Sequence, residues 1–263
     1  MTVPVYQIDA FTSKPFSGNP AGVCLLSSMP QDEWMLDVAR EMDLSETAFV
    51  VNEGEGFRLR WFTPKEEVDL CGHATLAAAH VLWQRGVLGE DAIVRFNTLS
   101  GRLIVRKQGD WIRLDFPVEL ALPCDLPDLL SDSLGTSPIF VAKNRMDYLV
   151  LVDSEEMVRN LKPDFAALAK IDARGTIVTA SSGSKDFDFV SRFFAPAVGI
   201  NEDPVTGSTH CCLGPFWSER LGKNFMTAVQ VSQRGGVLKV EVASDRVLIS
   251  GQAVTVFSGE LLI

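Results

Sequence analysis

Glu46 stands in the run Leu44-Ser45-Glu46-Thr47-Ala48-Phe49, a carboxylate among small and apolar neighbours. Surroundings of that kind strip water from an acid and raise its pKa toward the range useful for proton transfer near neutrality, so Glu46 is a candidate general acid/base. The competing reading is a helix-terminal glutamate in solvent. Two further polar groups stand next to glycines that open helices. His73 lies in Leu70-Cys71-Gly72-His73-Ala74-Thr75, and Asp203 in Glu202-Asp203-Pro204-Val205-Thr206-Gly207-Ser208. Each suits a second acid/base or a group that holds a polar substituent of a substrate. Against this, Asp-Pro is a common turn, and a histidine in a first helical turn can simply bond to solvent. His80 reads as a helix-face residue without a role, and His210 is given none.

Helices that begin at Gly72 and Gly207 present unpaired backbone N–H groups and the positive end of a macrodipole. Glycine at the start lets a ligand approach the backbone closely. If the two helix ends converge, they bind one small anionic group, most naturally a carboxylate. Simple capping explains either glycine alone; the matched pair favours the anion site.

The elements that must position these residues recur in the same order in the two halves of the chain. The first half opens with strands over Val3–Phe11 and Ala21–Leu26 around the turn-rich Ser13–Pro20. Pro30, Gln31, Asp32 and Glu33 start a helix on which Trp34, Val38 and Met42 share a face. Strands follow over Thr47–Val51 and Phe57–Phe62, then the helix Ala74–Gln84 closed by Gly86, then three more strands to Phe116. In the second half, strands are expected at Pro138–Ala142 and Asp147–Val152, a helix from near Pro163 with Phe165, Leu168 and Ala169 on one face, and a strand at Thr176–Ala180. Arg192-Phe193-Phe194-Ala195-Pro196 then matches Arg60-Trp61-Phe62-Thr63-Pro64 in kind at every position, and each is followed by an acidic loop and a glycine-led helix. The position corresponding to Glu46 falls near Arg174-Gly175-Thr176, which carries no acid. The pattern predicts an α+β fold of two similar lobes from an internal duplication. Residues 1–117 form the lobe carrying Glu46 and residues 118–263 the other, with the boundary in the proline cluster Pro117–Pro127; the last strand, about 253–263, is left free to return to the first lobe.

The 263 residues, 46% hydrophobic, supply one large core or two smaller ones. A net charge of −10 offers no basic stripe to a nucleic acid or an anionic membrane. No run approaches the roughly 18 apolar residues of a membrane span, and no leader pattern opens the chain, so a cytoplasmic location is expected. Five cysteines, two of them adjacent and none in a metal-ligating spacing, read as free thiols in a reducing compartment, and no metal is expected.

Pro15-Phe16-Ser17-Gly18-Asn19-Pro20-Ala21, Ser45-Glu46-Thr47-Ala48-Phe49, Leu70-Cys71-Gly72-His73-Ala74-Thr75 and Glu202-Asp203-Pro204-Val205-Thr206-Gly207-Ser208 together resemble the motifs of the PhzF-like family, in family order and across essentially the whole chain. The family is named for an isomerase of phenazine biosynthesis and shares the diaminopimelate epimerase fold. The resemblance implies two lobes, each a mostly antiparallel sheet wrapped around a central helix, here the helices after Gly72 and Gly207, with a site in the crevice between. It implies a cofactor-free isomerase, with Glu46 moving a proton between carbons and His73, Asp203 and Ser208 in support. Catalytic roles then fall to Glu46, His73 and Asp203. Substrate binding falls to Gly72, Gly207, Ser208 and Asn19, the last in a loop expected to line the pocket. The partner is a small carboxylic acid, and the default assembly is a homodimer.

Related epimerases use two cysteines, one per lobe, as opposed acid and base. Cys71 occupies the first of those positions, but Thr206 stands at the second. A threonine hydroxyl cannot act as a thiolate at neutral pH, so two-thiol racemisation is not available and Cys71 reads as a relic or packing residue. An amino-acid racemase or epimerase, with Glu46 opposite Asp203, is one alternative. A noncatalytic small-molecule-binding protein is the other.

Overall fold

The computed structural model of the chain describes residues 2–262. Two compact units make up the chain: Met1–Asp115 together with Ser250–Ile263, and the continuous stretch Phe116–Ile249.

In the first unit the strands are β1 (Thr2–Ala10), β2 (Asn19–Leu26), β3 (Glu46–Glu53), β4 (Gly56–Phe62), the short β5 (Glu67–Val68), β6 (Val94–Thr98), β7 (Gly101–Gln108) and β8 (Trp111–Pro117). Two helices accompany them, α1 (Asp32–Met42) and α2 (Gly72–Gln84). Pairing is antiparallel for β1–β2, β3–β4, β4–β5, β6–β7 and β7–β8, and parallel for β2–β3 and β4–β6. The closing strand, Ala253–Leu262, runs antiparallel to β1 along its whole length. Because Ala74, Leu76, Ala77, Ala78, Ala79, Val81, Leu82 and Trp83 are all buried, α2 is apolar on every side, which is the mark of a helix enclosed by its sheet. The small alanines let it lie close to β1, β2 and β3. By contrast α1 buries one face only: Met35, Val38 and Ala39 pack with Val3, Val5, Cys24, Phe49 and Phe62 on the outer side of the sheet.

The second unit repeats this order. Its strands are β9 (Leu122–Pro123), β10 (Phe140–Lys143), β11 (Asp147–Leu151), β12 (Gly175–Ser181), β13 (Phe189–Ala195), β14 (Ile200–Asp203), β15 (Phe225–Gln230), β16 (Gly236–Ala243) and β17 (Arg246–Gly251). The helices are α3 (Leu130–Leu134), α4 (Glu155–Asn160), α5 (Phe165–Leu168) and the central α6 (Gly207–Leu221). Again the sequence of pairings is antiparallel (β10–β11), parallel (β11–β12), antiparallel (β12–β13 and β13–β14), parallel (β13–β15) and antiparallel (β15–β16). The outer layer differs. Where the first unit has one helix, the second has short α4 and α5, whose Val158 and Leu168 pack with Val150, Val178 and Phe194. The helix expected from Pro163 is only the single turn Phe165–Leu168, capped by the Asp164 carboxylate, which accepts from the Ala167 N–H.

Equivalent residues follow from the registers. Thr47 faces Phe62 as Thr176 faces Phe194, and Trp61 faces Val68 as Phe193 faces Asp203. In each unit the central helix begins four residues later, so Cys71 matches Thr206, Gly72 matches Gly207 and His73 matches Ser208. Arg60 makes a two-pronged pair with Glu67 (2.6 and 2.5 Å) and lies over the Phe62 ring. Arg192 does the same with Glu202 (2.7 and 2.8 Å) and Phe194. These planar pairs clamp the strand to the acidic loop that leads into each central helix.

Candidate active site

Four side chains of the first unit converge at the start of α2. Gly18 turns the chain into β2 with φ +68°, and a Cβ there would lie 2.2 Å from the Ala10 carbonyl oxygen, so only glycine fits. The turn delivers Asn19 to the first position of β2, where its side chain is fully buried. Parallel pairing of β2 with β3 sets Glu46 opposite Ala21, at the first position of β3. His73, in the first turn of α2, is 5% exposed. Its Nε2 lies 3.1 Å from the Glu46 carboxylate, whose side chain keeps 13% exposure. On the other side of the ring, Nδ1 lies 3.3 Å from the Asn19 amide and 3.5 Å from Cys71 Sγ.

Charge on this cluster is governed by the carboxylate. Burial works against an imidazolium, yet the Glu46 carboxylate beside it holds the His73 imidazole above its ordinary 6.5. Cys71 is itself pushed above the ordinary 9.0, by burial first and by Glu46 second, against smaller opposing effects of His73 and the Ala74 N–H. Near neutrality it is therefore a thiol, and the anion that sustains the imidazolium is Glu46. A helix N-terminus disfavours a cation, so without that carboxylate the ring would stay neutral.

Ligating atoms of Glu46, Cys71 and His73 lie within 4.8 Å of one another, a grouping that the sequence spacing did not suggest. Sulfur faces Nδ1, however, and the carboxylate faces Nε2. A metal bound along one nitrogen's lone pair would meet only one of the other two groups, so the arrangement is that of an ion pair.

The second unit assembles a different set at the equivalent place. Asp203 is 8% exposed and accepts a short hydrogen bond from the Thr206 hydroxyl. Gln230, fully buried at the end of β15, accepts from the Thr206 N–H (3.0 Å) and donates to the Asp203 carbonyl (2.8 Å) and to Thr206 Oγ1 (3.3 Å). Those bonds fix the turn Asp203–Thr206 that opens α6. Arg174 donates to Ser208 Oγ (3.2 Å), forms a two-pronged pair with the buried Asp147 and stacks on the Phe193 ring. Gly175 holds the register position of Glu46, and a side chain there would meet the Phe193 ring and the Phe194 carbonyl, each at 2.6 Å. An acid is thus sterically barred from the second unit at that position.

Of the residues singled out by sequence, Glu46, His73, Asn19 and Gly72 come together in the first unit, and Asp203, Gly207 and Ser208 lie around the start of α6 in the second. Asn19, expected to touch substrate, has no exposed surface and faces His73. His210 donates from Nδ1 to the Thr206 carbonyl (2.8 Å) and stacks on Phe189, and burial lowers its pKa to about 4. It does for α6 what Thr75 does for α2, where the hydroxyl bonds the Cys71 carbonyl at 2.5 Å. Gln230, Arg174 and Asp147 went unnoticed in the sequence. Gln230 ends an alternating strand far from the motif it braces, and only Arg174 lay in a segment already matched to Glu46.

A family model described as phenazine biosynthesis-like protein matches residues 8–259. An uncharacterized isomerase of Halalkalibacterium halodurans is 53% identical over 264 residues, all of both chains. The crystal structure of a PhzF family phenazine biosynthesis protein from Enterococcus faecalis superposes with a TM-score of 0.96 at 44% identity, covering all of both chains. A probable proline racemase of Agrobacterium radiobacter, 11% identical, shares the fold with a TM-score of 0.65 over 99% of this chain and 93% of its own. Among the described residues, no helix is long and apolar enough to cross a membrane. With a family model spanning nearly its whole length and an isomerase as a full-length relative, this chain belongs to the PhzC–PhzF family of phenazine biosynthesis-like isomerases.

Proposed function

We propose that the protein is a cofactor-independent isomerase that shifts a proton, and with it a double bond, in a small carboxylic acid, with Glu46 as the general acid/base. The observation that carries this reading is the Glu46–His73 pair: a carboxylate with a sliver of exposed surface, 3.1 Å from a buried imidazole at the mouth of a helix. As a carboxylate, Glu46 takes a proton from an activated carbon, and the electron pair released spreads into the adjoining unsaturated system. As the resulting acid it returns the proton to another carbon on the same face, so no proton or electron is gained overall. Backbone N–H groups at Gly72–His73 suit the substrate's carboxylate. Asp203, Gly207 and Ser208 enter the reading from the sequence motifs, with Asp203 holding a polar substituent and Gly207–Ser208 offering a second set of N–H groups.

Two-thiol racemisation finds no support, because Cys71 is held as a thiol and the Thr206 hydroxyl is engaged by Asp203. Solvent deuterium incorporation into a panel of small unsaturated and amino carboxylic acids, read by mass spectrometry, tests the proposal. Glu46→Gln should fold, still bind the exchanging acid and lose its exchange by at least about a thousandfold. Undiminished exchange in that variant sinks the assignment. A homodimer in the cytoplasm completes the reading, and light scattering of the purified chain tests the dimer.

A further inference from the structure

The registers place Arg174 where the first unit has Ser45, Asp147 where it has Ala21, and Ser208 where it has His73. The second residue of each central helix thus meets a charged group from the entry to the matched strand, β3 or β12. In the first unit that group is the Glu46 carboxylate, and in the second it is the Arg174 guanidinium. The guanidinium is held fast. Its Nε and Nη2 donate to the two oxygens of Asp147, which is 1% exposed, and its central carbon lies 5.2 Å from the centroid of the Phe193 ring. Asp147 is fixed in turn, since its backbone N–H donates to the Asn144 side-chain oxygen at 2.7 Å. What remains is Nη1, aimed at Ser208 Oγ at 3.2 Å.

A guanidinium has N–H groups and no acceptor, and it keeps its charge in proteins. Ser208 Oγ can only accept from it, so the hydroxyl hydrogen is turned to another side of the oxygen. No acceptor among the described residues takes that hydrogen, and Ser208 is half-buried rather than sealed in. The neighbouring hydroxyls are committed: Thr209 donates to the Thr206 carbonyl at 2.9 Å, and Thr206 donates to Asp203. We propose that Arg174 is a positioning residue for Ser208: by occupying the accepting side of Oγ it fixes the hydroxyl as a donor at the start of α6, where it selects a carboxylate oxygen of the ligand and rejects an ammonium. An unrestrained serine serves an acceptor or a donor equally well, and the Arg174 contact removes that choice. The start of α6 favours the same ligand charge, because its first N–H groups have no side-chain cap and carry the positive end of the dipole. The inference rests on the reading of Ser208 as a substrate-binding residue and adds which end of a hydrogen bond it offers and what sets it. His73 beside Glu46 can change its proton count, whereas Ser208 beside Arg174 cannot.

Acetate, with methylammonium as its opposite, is the probe, and the backbone amide shifts of Gly207, Ser208 and Thr209 in nitrogen-15-labelled full-length protein are the readout. Acetate should move these amides saturably, and methylammonium should leave them unmoved. Ser208→Ala should weaken acetate binding there about tenfold, the effect of losing a hydrogen bond to a charged group. Arg174→Gln combined with Asp147→Asn puts a neutral amide couple in place of the ion pair without changing net charge. It frees Ser208 to turn and should weaken acetate binding about threefold, the statistical cost of one staggered orientation in three. The decisive comparison is the same pair of changes made in the Ser208→Ala background, where acetate binding should then be unaltered by them. An undiminished loss there means that Arg174 acts by its own charge or by holding the fold, and overturns the proposal, as do amides that acetate never moves. If the paired variant does not fold, neutron diffraction from deuterium-exchanged wild-type crystals decides. A Ser208 deuterium directed away from Nη1 and toward solvent supports the proposal, and one donated to a protein acceptor overturns it. None of these readings involves turnover, so exchange in Glu46→Gln is judged separately and either idea can fail alone.

Discussion

Cys71 and Thr206 precede the two central helices at matched positions, and in neither is the side chain available as a base. Burial and Glu46 keep the Cys71 thiol protonated, so it should resist iodoacetamide near neutral pH while the exposed Cys124 is alkylated, which intact-mass and peptide analysis would show. Cys71→Ser should keep deuterium exchange within about threefold of wild type, whereas a thiol-dependent reaction would lose it. At this scale much was legible. An acid in one half without a counterpart in the other could be seen in the letters Glu46 and Arg174-Gly175-Thr176, because the duplication supplied its own comparison. What the letters did not carry was who touches whom. His73 was noticed for its helix and Glu46 for its neighbours, and only the β2–β3 register and the start of α2 reveal them as partners. The family resemblance puts Asn19 in a loop that lines the pocket; its burial depends on a glycine turn whose direction no residue type spells out.

Helix α6 starts from a turn held by one side chain. Gln230 meets the Thr206 N–H and the Asp203 carbonyl at once, and Gln230→Leu would remove a hydrogen bond from each. At about 1–3 kcal/mol for the Thr206 N–H so deprived, that variant should lower the urea midpoint markedly and release the Asp203–Thr206 turn, seen as faster amide exchange there. Gly18→Ala should cost more than about 2 kcal/mol, since it combines a left-handed backbone with a 2.2 Å clash against the Ala10 oxygen. Central helices were the most legible elements, their long apolar runs opened by glycine after a proline-stopped strand. The outer layer of the second unit was the least legible. Its α4 and α5 are six and four residues long, too short for a 3.6-residue period to show, and side-chain caps at Ser154 and Asp164 rather than amphipathic faces define them. Strand β14 is likewise only four residues and reads as loop until its pairing with β13 is known.

Histidines give the whole molecule opposite responses to acid and base. His80 and His210 are lowered to about 4, so below the ordinary 6.5 the unfolded chain binds protons that the folded one refuses, and stability is lost as pH falls from 6.5 toward 4. For His210 the full loss is roughly 3 kcal/mol. His73, held above 6.5, contributes stability that is complete below 6.5 and lost as pH rises through its folded value. Urea midpoints measured against pH should fall on both sides, with the acid limb flattened in His210→Thr and the alkaline limb flattened in Glu46→Gln. The duplicated plan itself was readable because Arg60-Trp61-Phe62-Thr63-Pro64 and Arg192-Phe193-Phe194-Ala195-Pro196 keep both the arginine clamp and the proline stop. The destination of the last strand was not, since Ala253–Leu262 alternates like any edge strand and its partner β1 lies at the opposite end of the sequence. That pairing has a consequence for synthesis. Translated from its N-terminus, the chain offers β1 to solvent with its neighbour on one side still unmade, while the continuous residues 116–249 can close their own sheet earlier. The expected order is second unit first, then the unit that holds Glu46, completed only when the strand Ala253–Leu262 has emerged. Proteolysis of chains ending at Gly251 and at Leu262 would expose that order as protection of 116–249 in both and of β1 in the longer chain alone.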